Sequence, residues 1–450
     1  MHRRTAHWRR WFATAALLAL TAAVLAACGG SGSTSGGAAP SKTKANGPVA
    51  GTLSFYNFLP DGSEGKWWDD FVASFKKKYP NVKVEVTKFS TEDYWTKTLA
   101  AFSSGSEPDI FIPNAGEDLN KYIRAGKIAA LENLVDLKYY NPATLVPFKD
   151  SKGHIDGIPI YSYIILGWDN QNLLSKYRLA VPKTWDELLA ACHKLSDAGV
   201  IPIAMGNAGQ DQFPTGQLQD HLLYQLGGPK LTLNATYGTN GAKWTDPVFV
   251  NAAKQMRALI DAKCFPRGFT GLNYSQMSNL FAQGKAAMAF TGSWFANQVG
   301  SSGAKFKAGV FPFPDAPGTT HSTASLDGIL GGVNGLAASA KAAQRNPAAV
   351  KAFLDAFGAA ADEYANTNSQ LSAAAHPHPT GSGLQAELSQ VFQSVKEIAP
   401  VSDTILPRAM AGKYNGDVVA LTAGDMTPES WAKAMADAAA QEKPNLPNLG

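Results

Sequence analysis

The sequence is short of cysteine and of charge. Three cysteines, Cys28, Cys192 and Cys264, stand among 450 residues, too few for a disulfide-dense scaffold or an array of zinc fingers. Only 17% of the residues are charged, while 45% are hydrophobic and 10% aromatic, a globular composition far from that of a disordered or collagen-like chain. The length exceeds what one hydrophobic core normally serves, so more than one core is expected. Enzyme signatures are missing as well. There is no Gly-x-Ser-x-Gly, no His-Glu-x-x-His and no phosphate-cradling Walker loop. Gly328-Ile329-Leu330-Gly331-Gly332-Val333-Asn334-Gly335 does not match a dinucleotide fingerprint and reads as a turn or a close backbone crossing. Of eight histidines only His376 and His378 cluster, without the further ligands a metal needs. Neither metal nor cofactor is expected, and no pair of catalytic acids is nominated.

A basic excess is also missing once its location is considered. The formal net charge is +4, from 40 Lys+Arg against 36 Asp+Glu. Arg3, Arg4, Arg9 and Arg10 head an uncharged run from Trp11 to Ala27, a basic head and apolar stretch that read as an export signal over 1–27. That run falls short of the roughly 20 residues needed to cross a bilayer. Without it, Lys+Arg drops from 40 to 36 and the remainder is formally neutral, so charge suggests no nucleic acid or anionic surface as partner. Arg9-Arg10-Trp11-Phe12 has some likeness to a twin-arginine signal, with the general secretion route as the default.

Leu25-Ala26-Ala27-Cys28-Gly29 resembles the lipobox of bacterial lipoproteins, which implies a lipid on Cys28 and a place on the outer face of the cell membrane. Residues 28–50 are rich in Gly, Ser, Ala and Thr, as in a flexible tether with a span of roughly 25 Å. With Cys28 committed to lipid, Cys192 and Cys264 form an even pair in an oxidising compartment, and a disulfide between them is expected.

From Gly51 the chain alternates strand and helix patterns. Thr52 to Tyr56, the Val82, Val84 and Val86 alternation and Asp109 to Ile112 read as strands, separated by helices over Glu64 to Tyr79 and Glu92 to Ser103. This β-α-β-α-β order predicts a mostly parallel α/β sheet. Further strands are expected at Ile155 to Ile160, Ile164 to Asp169, Ala286 to Phe290, Lys307 to Phe311 and Gly335 to Ala338. Helices are expected at Thr184 to Ala198, Gln217 to Leu226, Pro247 to Ala262 and Tyr274 to Gln283. Starts at Asn346-Pro347 and Thr427-Pro428-Glu429 mark the later helices, with a loop from Ser372 to Gly383.

Aromatic residues recur at strand ends beside small polar groups, as in Tyr56-Asn57-Phe58, Tyr161-Ser162-Tyr163, Gln212-Phe213 and Ser293-Trp294-Phe295. A neutral polyol needs flat rings for its C–H faces and fixed donors and acceptors around its hydroxyls. Phe71, Phe75, Trp185, Phe281 and Phe353 lie on helical apolar stripes and are assigned to the core.

Several segments, in order, resemble the family 1 extracellular solute-binding proteins, the maltose-binding type that serves ABC importers. They are Ser104-Gly105-Ser106-Glu107-Pro108-Asp109-Ile110-Phe111, Gly126 to Leu131, His154 to Pro159, Trp168 to Leu174, Val181 to Leu188, Phe281 to Met288 with Gly292-Ser293-Trp294, and Gly331 to Leu336. Trp168-Asp169-Asn170-Gln171 departs from the family's pattern at a hinge strand. The resemblance implies a two-lobed α/β fold of the periplasmic-binding type (type II), with hinge-linked lobes closing over a ligand. By analogy 51–160 and 297–330 form one lobe, and 161–296 and 331–450 the other.

The same resemblance implies a lipid-anchored monomer that captures a mono- or oligosaccharide and delivers it to the permease subunits of an ABC importer, without catalysis. The alternatives are a secreted carbohydrate-active enzyme and a binding protein for another solute. Trp294 matches the ring on which a sugar stacks, and Tyr163 or Tyr161 a contact from the second lobe. Asn114, Glu117, Asp118, Asn57 and Phe58 fall at the carboxyl ends of strands, where open α/β sheets bind ligands. Asp327, Gly331 and Gly332 fall near a crossover, and Gln212, Phe213 and Arg408 complete the candidates.

Overall fold

A computed structural model describes residues 45, 47–58, 62–150, 152–209, 212–368, 370–378 and 383–442. The expected export signal, Cys28 and most of the tether lie outside the described residues. Among the described residues nine strands form one mixed sheet. They are β1 (Gly51–Asn57), β2 (Val82–Lys88), β3 (Ile110–Phe111), β4 (Ile158–Asn170), β5 (Ile201–Ala204), β6 (Ala286–Gly292), β7 (Ala308–Phe311), β8 (Ile329–Ala338) and β9 (Ile398–Pro400). The order is β2-β1-β3-β8-β4-β6-β5, with β7 added on β4 and β9 on β8.

The expected β-α-β-α-β start is present, with parallel β1–β2 and β1–β3 ladders. In β1 Leu53, Phe55 and Asn57 alternate inward, so strand period and core agree. The local signals act as their chemistry requires. The side chain of Ser90 caps the helix Thr91–Ser104, Thr184 and Glu187 close a capping box on Trp185–Asp197, and Asn273 and Gln276 close another on Tyr274–Ala282. Asn346 caps Pro347–Thr367, as its place before a first-turn proline predicts.

Three expectations are corrected. The sheet is not mostly parallel, because the shared strands β4 and β8 run antiparallel to each other and β4 to β6 and β7, as β8 does to β3, so the parallel order of the first three strands does not extend across it. The strands predicted at 155–160 and 164–169 are one strand, β4, all thirteen residues of which are buried. A strand covered on both faces shows no alternation, which hides its continuity from a period-2 reading. The glycine-rich segment read as a turn is β8, although the close crossing expected there is real. A Cβ on Gly331 would lie 2.3 Å from the Tyr163 carbonyl oxygen, and one on Gly332 would lie 2.4 Å from the Tyr163 hydroxyl.

β4 and β8 run through the fold together. β4 pairs with β8 along Ile158 to Ile164 and with β6 and β7 from Ile165 onward, while β8 reaches β3 at Ala337 and Ala338. One group of elements is thus built on β1, β2 and β3 and another on β5, β6 and β7, with β4 and β8 shared. The helix Pro347–Thr367 packs on the helix Gly62–Lys78 and on β1. Its Phe353 and Phe357 meet Phe55, Trp68 and Phe71 in an aromatic core. Phe71, Phe75, Trp185, Phe281 and Phe353 are all buried, as their helical stripes predict. Cys192 and Cys264 are joined in a disulfide with a Cα–Cα distance of 4.8 Å. No helix among the described residues is long and apolar enough to cross a membrane.

Candidate solute-binding site

The middle of β4 supplies Tyr161 and Tyr163, two residues apart and therefore on one face of the strand. Tyr163 meets Trp294 edge to face, with ring centroids 5.3 Å apart. Trp294 leads into the short helix Phe295–Ser301, its ring lying over Gly292 at the end of β6, where any side chain would collide with it. Its Nε1 donates to the Tyr274 hydroxyl at 2.7 Å. Phe213, the first residue of the helix Phe213–Gly227, closes the group against Tyr274 at 5.0 Å and Trp294 at 6.5 Å. Trp294 and Phe213 remain partly exposed, so their rings are not simply core. Gln212 precedes Phe213, also partly exposed, with its amide oxygen facing Gly416.

Two polar networks flank these rings. Tyr161 stacks on Tyr364, whose hydroxyl donates to Glu64 at 3.3 Å; Gln370 Nε2 donates to the same carboxylate at 2.9 Å. Burial raises the pKa of Glu64 against the pull of these two donors. On the other side Asp220 accepts from the Ser402 amide at 2.8 Å, from the Ser402 hydroxyl and from the Tyr414 hydroxyl at 2.7 Å. Burial outweighs those bonds and pushes Asp220 up to about 7. Buried Tyr163 is raised by its loss of water first, and then by Asp403 and Asp220. The segment after Ser402 closes against Gly116, where a Cβ would lie 2.8 Å from the Thr404 carbonyl oxygen.

The structure brings only some of the sequence-predicted residues together. Tyr163, Gly331 and Gly332 line a cavity of about 720 Å³ where β4 and β8 cross; Trp294 and Phe213 are not among its walls. Asn114 Oδ1 accepts from Asn334 at 2.7 Å, and Asp118 accepts from the Asn114 amide and from Lys121, so these groups hold the turn after β3. Glu117 pairs with Arg124. Asn57 is fully buried, and Phe58 packs in an aromatic cluster with Tyr94 and Trp95. Asp327 is exposed and bound to Lys396 and Ser325. Arg408 begins the helix Arg408–Ala423. His376 and His378 are exposed, and His378 bonds Asp362 at 3.2 Å; no group of three or more metal-ligating side chains occurs among the described residues.

Tyr274, Glu64, Tyr364, Gln370 and Asp220 escape the sequence reading. Tyr274 and Glu64 open helices, Asp220 lies in mid-helix and Tyr364 in the last turn of one, positions that periodicity assigns to solvent or core. Only the crossing of distant elements reveals them.

The model of the bacterial extracellular solute-binding proteins matches residues 60–363. An uncharacterized ABC transporter extracellular-binding protein of Pyrococcus horikoshii is 26% identical over 262 residues, 56% of this chain and 59% of that protein. The melibiose/raffinose/stachyose-binding protein MelE of Bacillus subtilis is 23% identical over 276 residues, 58% of this chain and 61% of MelE. The chain thus aligns with about six-tenths of the length of these two relatives. The solved structure of a chitin oligosaccharide binding protein superimposes with a TM-score of 0.78 at 24% identity, over 88% of this chain and 99% of that one. The shared fold is the two-lobed periplasmic-binding type expected from the sequence. With the family model covering most of the described chain, this protein belongs to the bacterial extracellular solute-binding proteins, a family that binds solutes and does not transform them.

Proposed function

We propose that this chain is the lipid-anchored, solute-capturing subunit of an ABC importer, and that its solute is a mono- or oligosaccharide. The observation that carries the reading is the Trp294, Tyr163 and Phe213 cluster, its indole oriented by Tyr274, with hydrogen-bonding side chains on two sides. Rings partly open to solvent receive the apolar C–H face of a sugar, and hydroxyl, amide and carboxyl groups match its hydroxyl rim. MelE and the chitin oligosaccharide binding protein are named for the sugars they bind, which favours the same class here.

In this reading the bodies that close are the part built on β1, β2 and β3 with the helix Pro347–Thr367, and the part built on β5, β6 and β7, so that β7 and this helix change sides relative to the lobes drawn by analogy at 297–330 and 331–450. Closure is driven by contacts that solute makes with both parts at once. Cys28 carries the lipid, and residues 28–50 are the spacer that keeps the monomer beside its permease. Calorimetry and tryptophan emission test the reading with melibiose, raffinose, stachyose and chitin oligosaccharides, with spermidine as a non-sugar control. Saturable heat with a sugar, recovered intact by chromatography, is the expected result. No heat from any sugar, heat from spermidine alone, or cleavage of the sugar would overturn it.

A further inference from the structure

Charge that balances over the whole chain does not balance at one edge of the sheet. β1 and β2 are parallel and start level, Gly51 beside Val82, and the helix Gly62–Lys78 that joins them ends at that edge. Its last residues are Lys76, Lys77 and Lys78, all exposed. The ion pairs nearby belong to other lysines: Lys66 holds Asp70, Lys88 holds Asp69 and Lys83 holds Glu85. The carboxylates of the segment leading into β3 are bound as well, Glu107 by Lys127 and Lys341 and Asp109 by Arg345. Among the described residues no ion pair takes Lys76, Lys77 or Lys78; Lys78 lies over the Tyr79 ring at 5.4 Å, a contact that leaves its charge in place.

The amino-terminal segment joins the body at the same edge. Ala45 and Val49 pack against the core, and the Ala50 carbonyl accepts from Asn346 Nδ2 at 2.7 Å. The Gly51 amide donates to the carbonyl of Asn81, three residues after Lys78, at 2.9 Å. The point of entry is therefore fixed beside the three free lysines, with Lys42 and Lys44 just before it in the sequence. The helix dipole favours lysine in a last turn, but it does not require the chain to enter there. A tether with a span of roughly 25 Å keeps this edge within reach of the bilayer that holds its other end. The carboxyl ends of β1 and β3 lie at the far end of those strands, away from this edge.

We propose that this edge is a membrane-facing surface, on which Lys76, Lys77 and Lys78 rest against the anionic headgroups of a lipid bilayer. The inference rests on the lipid-anchored reading above, since a basic patch adds its attraction to that of a lipid chain. The test sediments the full chain as Cys28→Ala, which carries no lipid, with vesicles of phosphatidylglycerol in phosphatidylcholine and with vesicles of phosphatidylcholine alone. Sedimentation with the anionic vesicles only, lost at about 0.5 M salt, is the expected result. Lys76→Gln, Lys77→Gln and Lys78→Gln together weaken it about tenfold or more, and each alone takes a share of that loss. Lys176→Gln, Lys305→Gln and Lys433→Gln together, exposed lysines of the other half, change it by less than about twofold. Every protein compared carries residues 1–27, so the basic head of that segment cancels. The proposal is overturned if the Lys76, Lys77 and Lys78 variants sediment as the parent does, if neutral vesicles bind as well as anionic ones, or if soluble polyphosphate is bound as tightly as vesicles of equal phosphate content. The mass of the amino-terminal peptide of the exported protein reports the lipid on Cys28 by itself, so the two readings fail separately.

Discussion

The Trp294 indole nitrogen donates to the hydroxyl of Tyr274 across 2.7 Å, and that hydroxyl lies 3.3 Å from Thr291 Oγ1 on β6. The Trp294 ring is thereby anchored to a strand through a second aromatic residue. A ring held in one orientation loses little further freedom on binding.

Trp294→Ala is expected to weaken sugar binding by about 1 kcal/mol or more, because both stacking and buried area are lost. Tyr274→Phe keeps the packing and removes only the anchor, so a smaller loss of about 0.5–1.5 kcal/mol is expected. Calorimetry on both variants checks the order. A Tyr274→Phe loss equal to or above that of Trp294→Ala contradicts the arrangement.

Gly331→Ala is expected to destabilise the fold more than Gly332→Ala. The first places its Cβ against the backbone oxygen of Tyr163, which moves only if β4 moves; the second meets the far end of the Tyr163 ring, which can turn. Overpacking of this kind costs about 1–3 kcal/mol. Urea midpoints for the two variants give the comparison, and Gly332→Ala also perturbs the Tyr163–Trp294 contact in near-ultraviolet dichroism.

Asp220 titrates in the folded chain at about 7, against an ordinary value of 3.8. Between these values the folded state holds a proton that the unfolded state has released, so stability falls as pH rises toward 7, by about 1.4 kcal/mol per unit. Asp156, at about 7, and Asp169, at about 6, act in the same direction. His221 opposes them below pH 6.5, because burial depresses it to about 3 and the unfolded chain takes up its proton first. Thermal midpoints of the parent and of Asp220→Asn from pH 5 to 8 isolate the aspartate. The gap between the two proteins is expected to change across pH 5–7 in favour of the variant at the higher end, and a constant gap refutes the assignment.

The disulfide between Cys192 and Cys264 closes a loop with a sequence separation of 72 and is expected to contribute about 4 kcal/mol. In a Cys28→Ala protein unfolded without reductant no thiol should react, and reduction should expose two and lower the melting temperature. Two reactive thiols before reduction contradict the bridge.

Local signals made much of the frame legible in advance. Asn346 and Thr427 sit before a proline at helix starts and accept from backbone amides as that place predicts, while the caps at Ser90, Thr184 and Asn273 appear only in the structure. β4 was legible in pieces, since complete burial removed the alternation that would have joined them. The grouping of Trp294, Tyr163 and Phe213 was legible only as aromatic residues beside small polar ones, since their contacts join a strand, a helix start and the turn after β6. Asn114, Asp118 and Phe58 carry the right chemistry at the right strand ends, yet they are committed to a turn and to the core. Partners such as Asp220 and Ser402, or Glu64 and Gln370, meet only after distant segments have docked.

Because Ile110 and Phe111 take their outer partner from Ala337 and Ala338, the early strands wait on a late one. A chain emerging amino end first cannot complete that edge until nearly all of β8 has followed, and pairing across so long a loop is slow to form. Neither half can be cut out by trimming the gene at one point, since each owns strand length that the other also uses. Insertions meant to separate the halves belong in surface loops, and a break placed within Ile158–Asn170 takes both halves down together.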